Sequence, residues 1–371
     1  METKYLVAVI NTGKIVILIS CICIISIIAL DISLDIALDN AINKLYWVKS
    51  IFKEGWPNFS VRYIIRSIII FISTIALFWS LIGSRRPKLV LSEGNGISLE
   101  RVGIVMALFF SVFTLFLFIF RPSTFNALSK EDNFIEWGSA ILLFGSCFIT
   151  TFSLLKNNKA LKNSNITRLS LVLLSFAFFI MAMEEVSWFQ RVLEIETPKL
   201  FEGNQQKEMN FHNFATDYIE DLYYFGAFVF LVVFPFIRSL FPFISNNNYL
   251  RIFVARPFIG VIGSIACAYN FDMWNIIFTQ IAFFSSLVIL CAFAIFSSIR
   301  NERHIILFTI VLIITSQILF LANGKNFDRL FEITEYKEFI IPLAFFIYSW
   351  DVFIHIERTF LLKKNRIKAI L

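Results

Sequence analysis

Charged side chains are scarce in this sequence, at 16% of its 371 residues, where a soluble domain averages about 25%. The deficit points to surface that faces lipid rather than water. Histidine is scarcer still, with three copies. The five cysteines (Cys21, Cys23, Cys147, Cys267 and Cys291) all fall inside apolar stretches, and none has CxxC or Cys/His ligand spacing. They read as small core hydrophobes, which excludes a disulfide framework and a thiolate metal site. HExxH, DxD, GxSxG and Walker A signatures are missing, as are an internal repeat and a separate soluble domain. The net charge of +6 is spread thinly, with no basic stripe long enough for nucleic acid. In a membrane protein such Lys and Arg residues set orientation instead.

Apolar runs are what the chain has in abundance. Hydrophobic residues make up 58% of it, Phe alone contributes 46, and the mean hydropathy is +0.75. A bilayer core needs roughly 20 apolar residues per helix. Ten segments meet or approach that: 15–30, 64–82, 102–120, 134–155, 169–183, 222–240, 257–269, 275–298, 304–322 and 336–354. The expectation is an all-α polytopic membrane protein, residues 1–371 forming a single integral membrane domain. The first run follows Lys4 and Lys14 but leads to Asp31 and Asp35 rather than to a small-residue cleavage site, so it reads as an uncleaved span. The seventh run is short, and its Gly260 and Ser264 stand at i, i+4, a spacing that lets helices approach closely. Pro235 and Pro342 lie inside spans and are expected to kink them.

Orientation follows from the loops. The tail holds Arg358, Lys363, Lys364, Arg366 and Lys368, which places both termini in the cytoplasm, of a bacterial cell by expectation. Alternation from there puts Arg85, Arg86, Lys88 and Arg101 inside, with Lys156, Lys159, Lys162 and Arg168. Cytoplasmic segments then carry roughly twice the Lys and Arg of the outer ones. Two outer segments are long. Residues 31–60 alternate Ile and Leu with Asp and Asn and include Trp47 and Trp56, the pattern of an interfacial amphipathic helix. Residues 184–221 form a polar extracytoplasmic loop.

That loop and its neighbours hold the candidate chemistry. The fifth span runs into Glu184 and Glu185, and carboxylates at a membrane boundary are either paired or functional. A helix continuing through the motif would put Glu184, Trp188 and Arg191 on one face. Either carboxylate could instead pair with Arg191 and simply anchor the helix end. Glu208, Asn210, His212 and Asn213 follow in a dense polar cluster, and histidine is a competent general base or metal ligand near neutral pH. At the start of the fourth span Asp132 and Glu136 are spaced i, i+4, a position that also suits the positive end of the helix dipole. Glu332, Glu335 and Glu338 open the tenth span, where stabilisation of the dipole is the leading reading. Asp351 and His355 near its end read as an ion pair, and His304 as a loop residue.

The expected site therefore has Glu184, Glu185, His212 and Glu136 as catalytic groups. Trp188, Gln190, Arg191, Asn210 and Asn213 would bind substrate, and Asp132, Glu184, Glu185 and His212 would hold a divalent metal ion. The segments EDNFIEW, EEVSWFQR, ETP and NQQKEMNFHN resemble a family of uncharacterised bacterial polytopic membrane proteins. In that family a Glu-Glu-x-Ser-Trp-x-Gln-Arg stretch precedes an Asn-x-Gln-x-Glu-x-Asn-x-His-Asn stretch. The likeness covers roughly residues 120–225, with a fainter echo at 332–338, and it implies a membrane fold but carries over no activity. The membrane hydrolases related to alkaline ceramidases and progestin-receptor-like proteins use a zinc site of three His with Asp and Ser. Here the expected topology separates the three histidines across the bilayer. The leading expectation is an enzyme facing outward, a hydrolase or transferase acting on a membrane lipid or lipid-linked glycan. A proton- or ion-coupled transporter and a non-catalytic subunit docking a partner protein are the alternatives.

Overall fold

The computed structural model describes residues 54–84, 98–157, 164–201, 207–327 and 329–370, with isolated positions between 16 and 26 and at 87, 89, 91, 161 and 203. Most of the first span and of the 31–60 segment lies outside the described residues. Every regular element among those described is helical. The main ones are α1 (Val61–Ser84), α2 (Leu99–Phe120), α3 (Pro122–Leu128), α4 (Phe134–Lys156), α5 (Asn165–Glu185), α6 (Thr216–Phe228), α7 (Phe234–Leu240), α8 (Pro257–Ala266), α9 (Ile277–Phe296), α10 (Arg300–Asn323) and α11 (Glu332–Ile370).

Eight helices are long and apolar enough to cross a membrane, with α6 and α7 counted as one. Together they make an integral membrane protein. Their outer faces explain the phenylalanine content, since Phe109 and Phe148 stand 71% and 68% exposed in positions that only lipid tails would cover favourably. Observed helix ends extend a turn or so past several of the apolar runs. Two extensions are larger: α6 begins at Thr216 rather than at 222, and α11 continues to Ile370, well past 354.

Cross-links between the helices fix two ends of the bundle. At one end Arg256, preceding α8, pairs with Glu100 at the start of α2 and with Asp351 late in α11, and Lys156 closing α4 reaches Glu357. At the other end Thr334 of α11 donates to Asp272, Arg329 donates to Ser129 beyond α3, and Ser139 of α4 donates to Glu185 of α5. The long helices run between these two ends, eight of them with the length and composition of a membrane span.

Two departures from plain spans shape the interior. Helix α8 has only 10 residues, all buried, so it covers about half of a hydrocarbon core at 1.5 Å per residue. The chain finishes the crossing as irregular backbone over 267–276, almost wholly buried. Close approach makes this possible: a Cβ on Gly260 would stand 3.2 Å from Pro235, and one on Gly263 would stand 2.8 Å from Leu231. The second departure is a π-helical turn, Val229–Val233, between α6 and α7. Pro235 comes two residues after Val233 in the same continuous helix, and the widened turn before it accommodates the missing N–H. Pro342 lies inside α11, which continues past it to Ile370. Helix α4 packs along its length between α5 and α11. Added Cβ atoms on Gly138 and Gly145 would come within 2.6 Å of Phe339 and 2.8 Å of Phe346, so small residues on α4 make room for large rings on α11.

Candidate functional site

The end of the bundle that holds Glu185 is built in two layers, a cap and a floor. The cap begins where α5 stops. Ser187, Trp188 and Phe189 have φ of 45°, 54° and 60°, a left-handed turn of three non-glycine residues that costs about 1–2 kcal/mol at each position. It reverses the chain at the membrane boundary. The motif residues hold it there. Trp188 Nε1 donates to Glu184 at 2.7 Å, and the other oxygen of Glu184 accepts from the Phe211 amide at 2.7 Å. Ser187 donates to Glu208, as does the Asn210 amide at 3.0 Å. Gln190 donates to Thr197 at 3.0 Å and accepts from the Met209 amide at 2.6 Å. Arg191 ties the cap to the α3–α4 connection, pairing with Asp132 at 2.7 Å, with Glu131 at 2.9 Å and with Glu208.

Ser187, Gln190, Glu208, Asn210 and Asn213 are all buried. The two motif segments thus form a small polar core that folds the cap onto itself. Glu208→Ala removes the acceptor that Ser187, Asn210 and Arg191 share, at about 2–3 kcal/mol of local stability. Amide hydrogen exchange over 187–201 and 207–213 should accelerate in that variant, with the α4 and α11 amides unchanged.

The expected site residues divide between the two layers. Glu184, Trp188, Gln190, Arg191, Asn210 and Asn213 belong to the cap, and Asp132 is joined to it by Arg191. The backbone of His212 lies in a 3-10 turn, His212–Phe214, but its side chain lies outside the described residues. Among the described residues no group of three or more His, Cys, Asp or Glu side chains is arranged to hold a metal ion.

Glu136 and Glu185 belong to the floor. Glu136 accepts from the Asp132 amide at 2.6 Å, and Glu185 accepts from Ser139 at 3.0 Å. Around them stand carboxylates that the sequence reading left to other roles. Glu220 of α6 and Glu335 and Glu338 of α11 come close enough to interact directly. Glu338 acts electrostatically on Glu185, Glu220 and Glu335, and Glu136 acts on both Glu185 and Glu335. Tyr224 donates to Glu338, and Tyr223 faces Glu185 and Glu338. These glutamates are half-buried. In a membrane domain such groups face a cavity or the bundle interior. Pro342 adds to the polarity here, because it removes the i+4 amide that would otherwise bond to the Glu338 carbonyl.

The signals for these residues were local. The apolar run starts at Leu222, which by sequence places Glu220 in the loop, yet the helix starts six residues earlier. The opening of α11 mixes two roles. Glu332 accepts from the Arg329 amide at 2.5 Å and stays at the helix start, where the dipole role expected of it applies, while Glu335 and Glu338 turn toward Glu185. A charge-rich first two turns on a helix that is otherwise apolar was the available clue.

Glu54 reaches the same end from the segment before α1, beside the Gly55 amide that donates to the Asp272 carbonyl at 3.0 Å. Of the 31–60 segment only 54–60 is described, and that part is not helical. Burial above all, then the nearby Asp272, Asp217 and Asp221, push the Glu54 carboxyl from 4.5 up to about 8, against the pull of Lys337. The folded state thus favours its protonated form. The stability it contributes is full below pH about 4.5 and is lost as pH rises through about 8. Glu54→Gln should flatten the decline of the thermal midpoint across that window, while wild-type protein retains it. No protein-family model matches the chain, and no curated protein or solved structure matches it.

Proposed function

We propose that the chain is a membrane enzyme acting from the extracytoplasmic side on the head group of a lipid or lipid-linked glycan. The carboxylates of the floor would do the acid–base work. The observation that carries this reading is the convergence of Glu136, Glu185, Glu220, Glu335 and Glu338 from four helices beneath one cap. Carboxyls that act on one another electrostatically do not all ionise together, so the group can offer both a donor and an acceptor. That pairing is what hydrolysis or transfer at a glycosidic or phosphoester bond requires. Glu338 takes the central role in this reading, because Tyr224 fixes one of its oxygens while Glu185, Glu220 and Glu335 surround it. The cap would supply the roof of the site.

The depth of the site supports a head group rather than a mid-membrane cargo, since Glu185 ends α5 and Glu335 and Glu338 lie in the first two turns of α11. The excess of Lys and Arg in the loops at the opposite end supports an outward-facing site in a bacterial cytoplasmic membrane. The test is to incubate the purified protein in lipid nanodiscs with a bacterial lipid extract containing lipid-linked saccharides, and to follow released head groups by mass spectrometry. Wild-type protein should release product and Glu338→Gln should not. A wild-type protein that converts none of the extract's lipids would end this reading.

A second reading has one specific observation in its favour. Helix α8 stops within the membrane and continues as buried irregular backbone, the construction that transporters use to bind substrates and ions. Uptake into proteoliposomes that collapses when the proton or sodium gradient is dissipated would put transport first.

A further inference from the structure

The cap turns hydrocarbon outward as well as polar groups inward. Leu200 is 70% exposed, Phe211 57% and Phe214 47%. Phe201, itself buried, gathers the two exposed rings, its centroid 5.3 Å from that of Phe211 and 5.6 Å from that of Phe214. Leu200 adjoins Phe201 on a turn closed by the bond from the Phe201 amide to the Pro198 carbonyl, at 2.8 Å. Two stretches of chain, 200–201 and 211–214, thus build one apolar patch that the fold does not use as core. A contiguous patch of this kind on a loop marks a surface that something apolar covers.

The depth of the patch identifies what covers it. The Phe211 amide donates to Glu184, in the last turn of α5, so this residue is level with the end of a membrane span. Phe214 stands two residues before Thr216, where α6 and the next span begin. Ile219 and Leu222 share a face of the first two turns of α6 and are exposed too, so the lipid-covered surface of that helix starts close behind Phe214. The charged side of the cap lies elsewhere. Arg191 pairs there with Glu131 and Asp132 of the α3–α4 connection, and all three side chains are a third to a half exposed. Hydrocarbon on one side and exposed charge on the other, at the boundary of two spans, is the division that seats a segment in a membrane interface.

We infer that the cap is an interfacial anchor, with Leu200, Phe211 and Phe214 lying among the upper acyl chains of the leaflet at that end of the bundle. Arg191 and its acidic partners stay in the head-group layer and water. This lipid-binding surface does not depend on catalysis at the floor, and it is read by contact with lipid rather than by turnover.

The full-length protein is placed in phosphatidylcholine nanodiscs that include a phosphatidylcholine carrying a diazirine near the carbonyl end of one acyl chain. Irradiation, proteolysis and mass spectrometry then locate the lipid adducts. In wild-type protein, 200–201 and 211–214 should carry adducts at yields within about threefold of those on Ile219 and Leu222, with residues 130–132 unlabelled. Phe211→Glu combined with Phe214→Glu puts charge where hydrocarbon is expected and should cut the yield at 200–201 by about tenfold. Adducts on α2 should stay unchanged in that variant, which shows that it has inserted, and the wild-type measurement decides the matter if it has not. Adducts confined to the helices, cross-links between two copies at 200–214 in place of lipid adducts, or an undiminished yield at 200–201 in an inserted double variant would each overturn the inference.

Discussion

Glu338→Gln is expected to lower the turnover of the head-group reaction by about 10²- to 10⁴-fold, the range typical of a lost general acid or base. The substitution keeps the side chain's shape, and its amide oxygen can still accept from Tyr224, so packing at the α6–α11 contact should survive. What disappears is the ionisable group that acts electrostatically on Glu185, Glu220 and Glu335. The effect should fall on kcat rather than on KM, because a proton donor acts in the transition state while head-group binding draws on other residues. Glu185→Gln should behave similarly. Tyr224→Phe, which removes only the hydrogen bond to Glu338, should cost less than either. A Glu338→Gln protein with wild-type kcat and wild-type thermal stability would remove this residue from the chemistry.

The largest effect on stability is expected at the opposite end of the bundle. Arg256 is buried with Glu100 and Asp351, bonding Glu100 at 2.7 Å and both oxygens of Asp351 within 3.1 Å. Its guanidinium joins the start of α2, the start of α8 and the last turns of the membrane part of α11. His355 lies against the same carboxylate, 3.4 Å from its oxygen. Removing the arginine leaves two buried carboxylates facing each other without a cation, and breaking such a pair typically costs about 3–5 kcal/mol. Arg256→Ala should therefore lower the thermal midpoint sharply in nanodiscs. Replacing all three charged residues together by Met and Leu should recover most of that loss, because an apolar set of similar volume avoids the desolvation that the ion triad carries. If the single variant melts with wild type, the triad is not a fastening of the bundle.

Chain-local physics accounts for much of this fold. Long apolar runs predict helices in lipid whatever their neighbours are, because every backbone group in hydrocarbon must be satisfied within its own segment. The all-helical membrane fold and most of the spans followed from that. It also predicted the close approach at Gly260, since small residues imply little steric bulk wherever they pack. The pairing of Asp351 with His355 was legible too, because i, i+4 neighbours on a helix meet whatever else the fold does.

Contacts between distant segments were another matter. Arg256 reaches Asp351 across 95 positions of sequence, and no local pattern ties the two together. The Glu-Glu and Asn-rich motifs were read as chemistry because polar residues at a membrane edge are unusual. In the folded chain most of them brace a left-handed turn and one another, and the polarity that drew attention to them is used inside the cap. By sequence Glu335 and Glu338 look like dipole partners, because nothing local orients the face of α11 that carries them. Only packing against α4, α5 and α6 turns them toward Glu185.

The sequence by itself determined that this chain lives in a bilayer as a bundle of helices, because transfer of apolar surface out of water and the need to satisfy backbone polar groups act on each segment alone. The tertiary structure alone decided which carboxylates meet, where α8 stops, and that Phe201, Phe211 and Phe214 gather at the end of α5. Those outcomes depend on the rotation and depth of each helix against its neighbours, which are set by side-chain packing summed over the whole bundle.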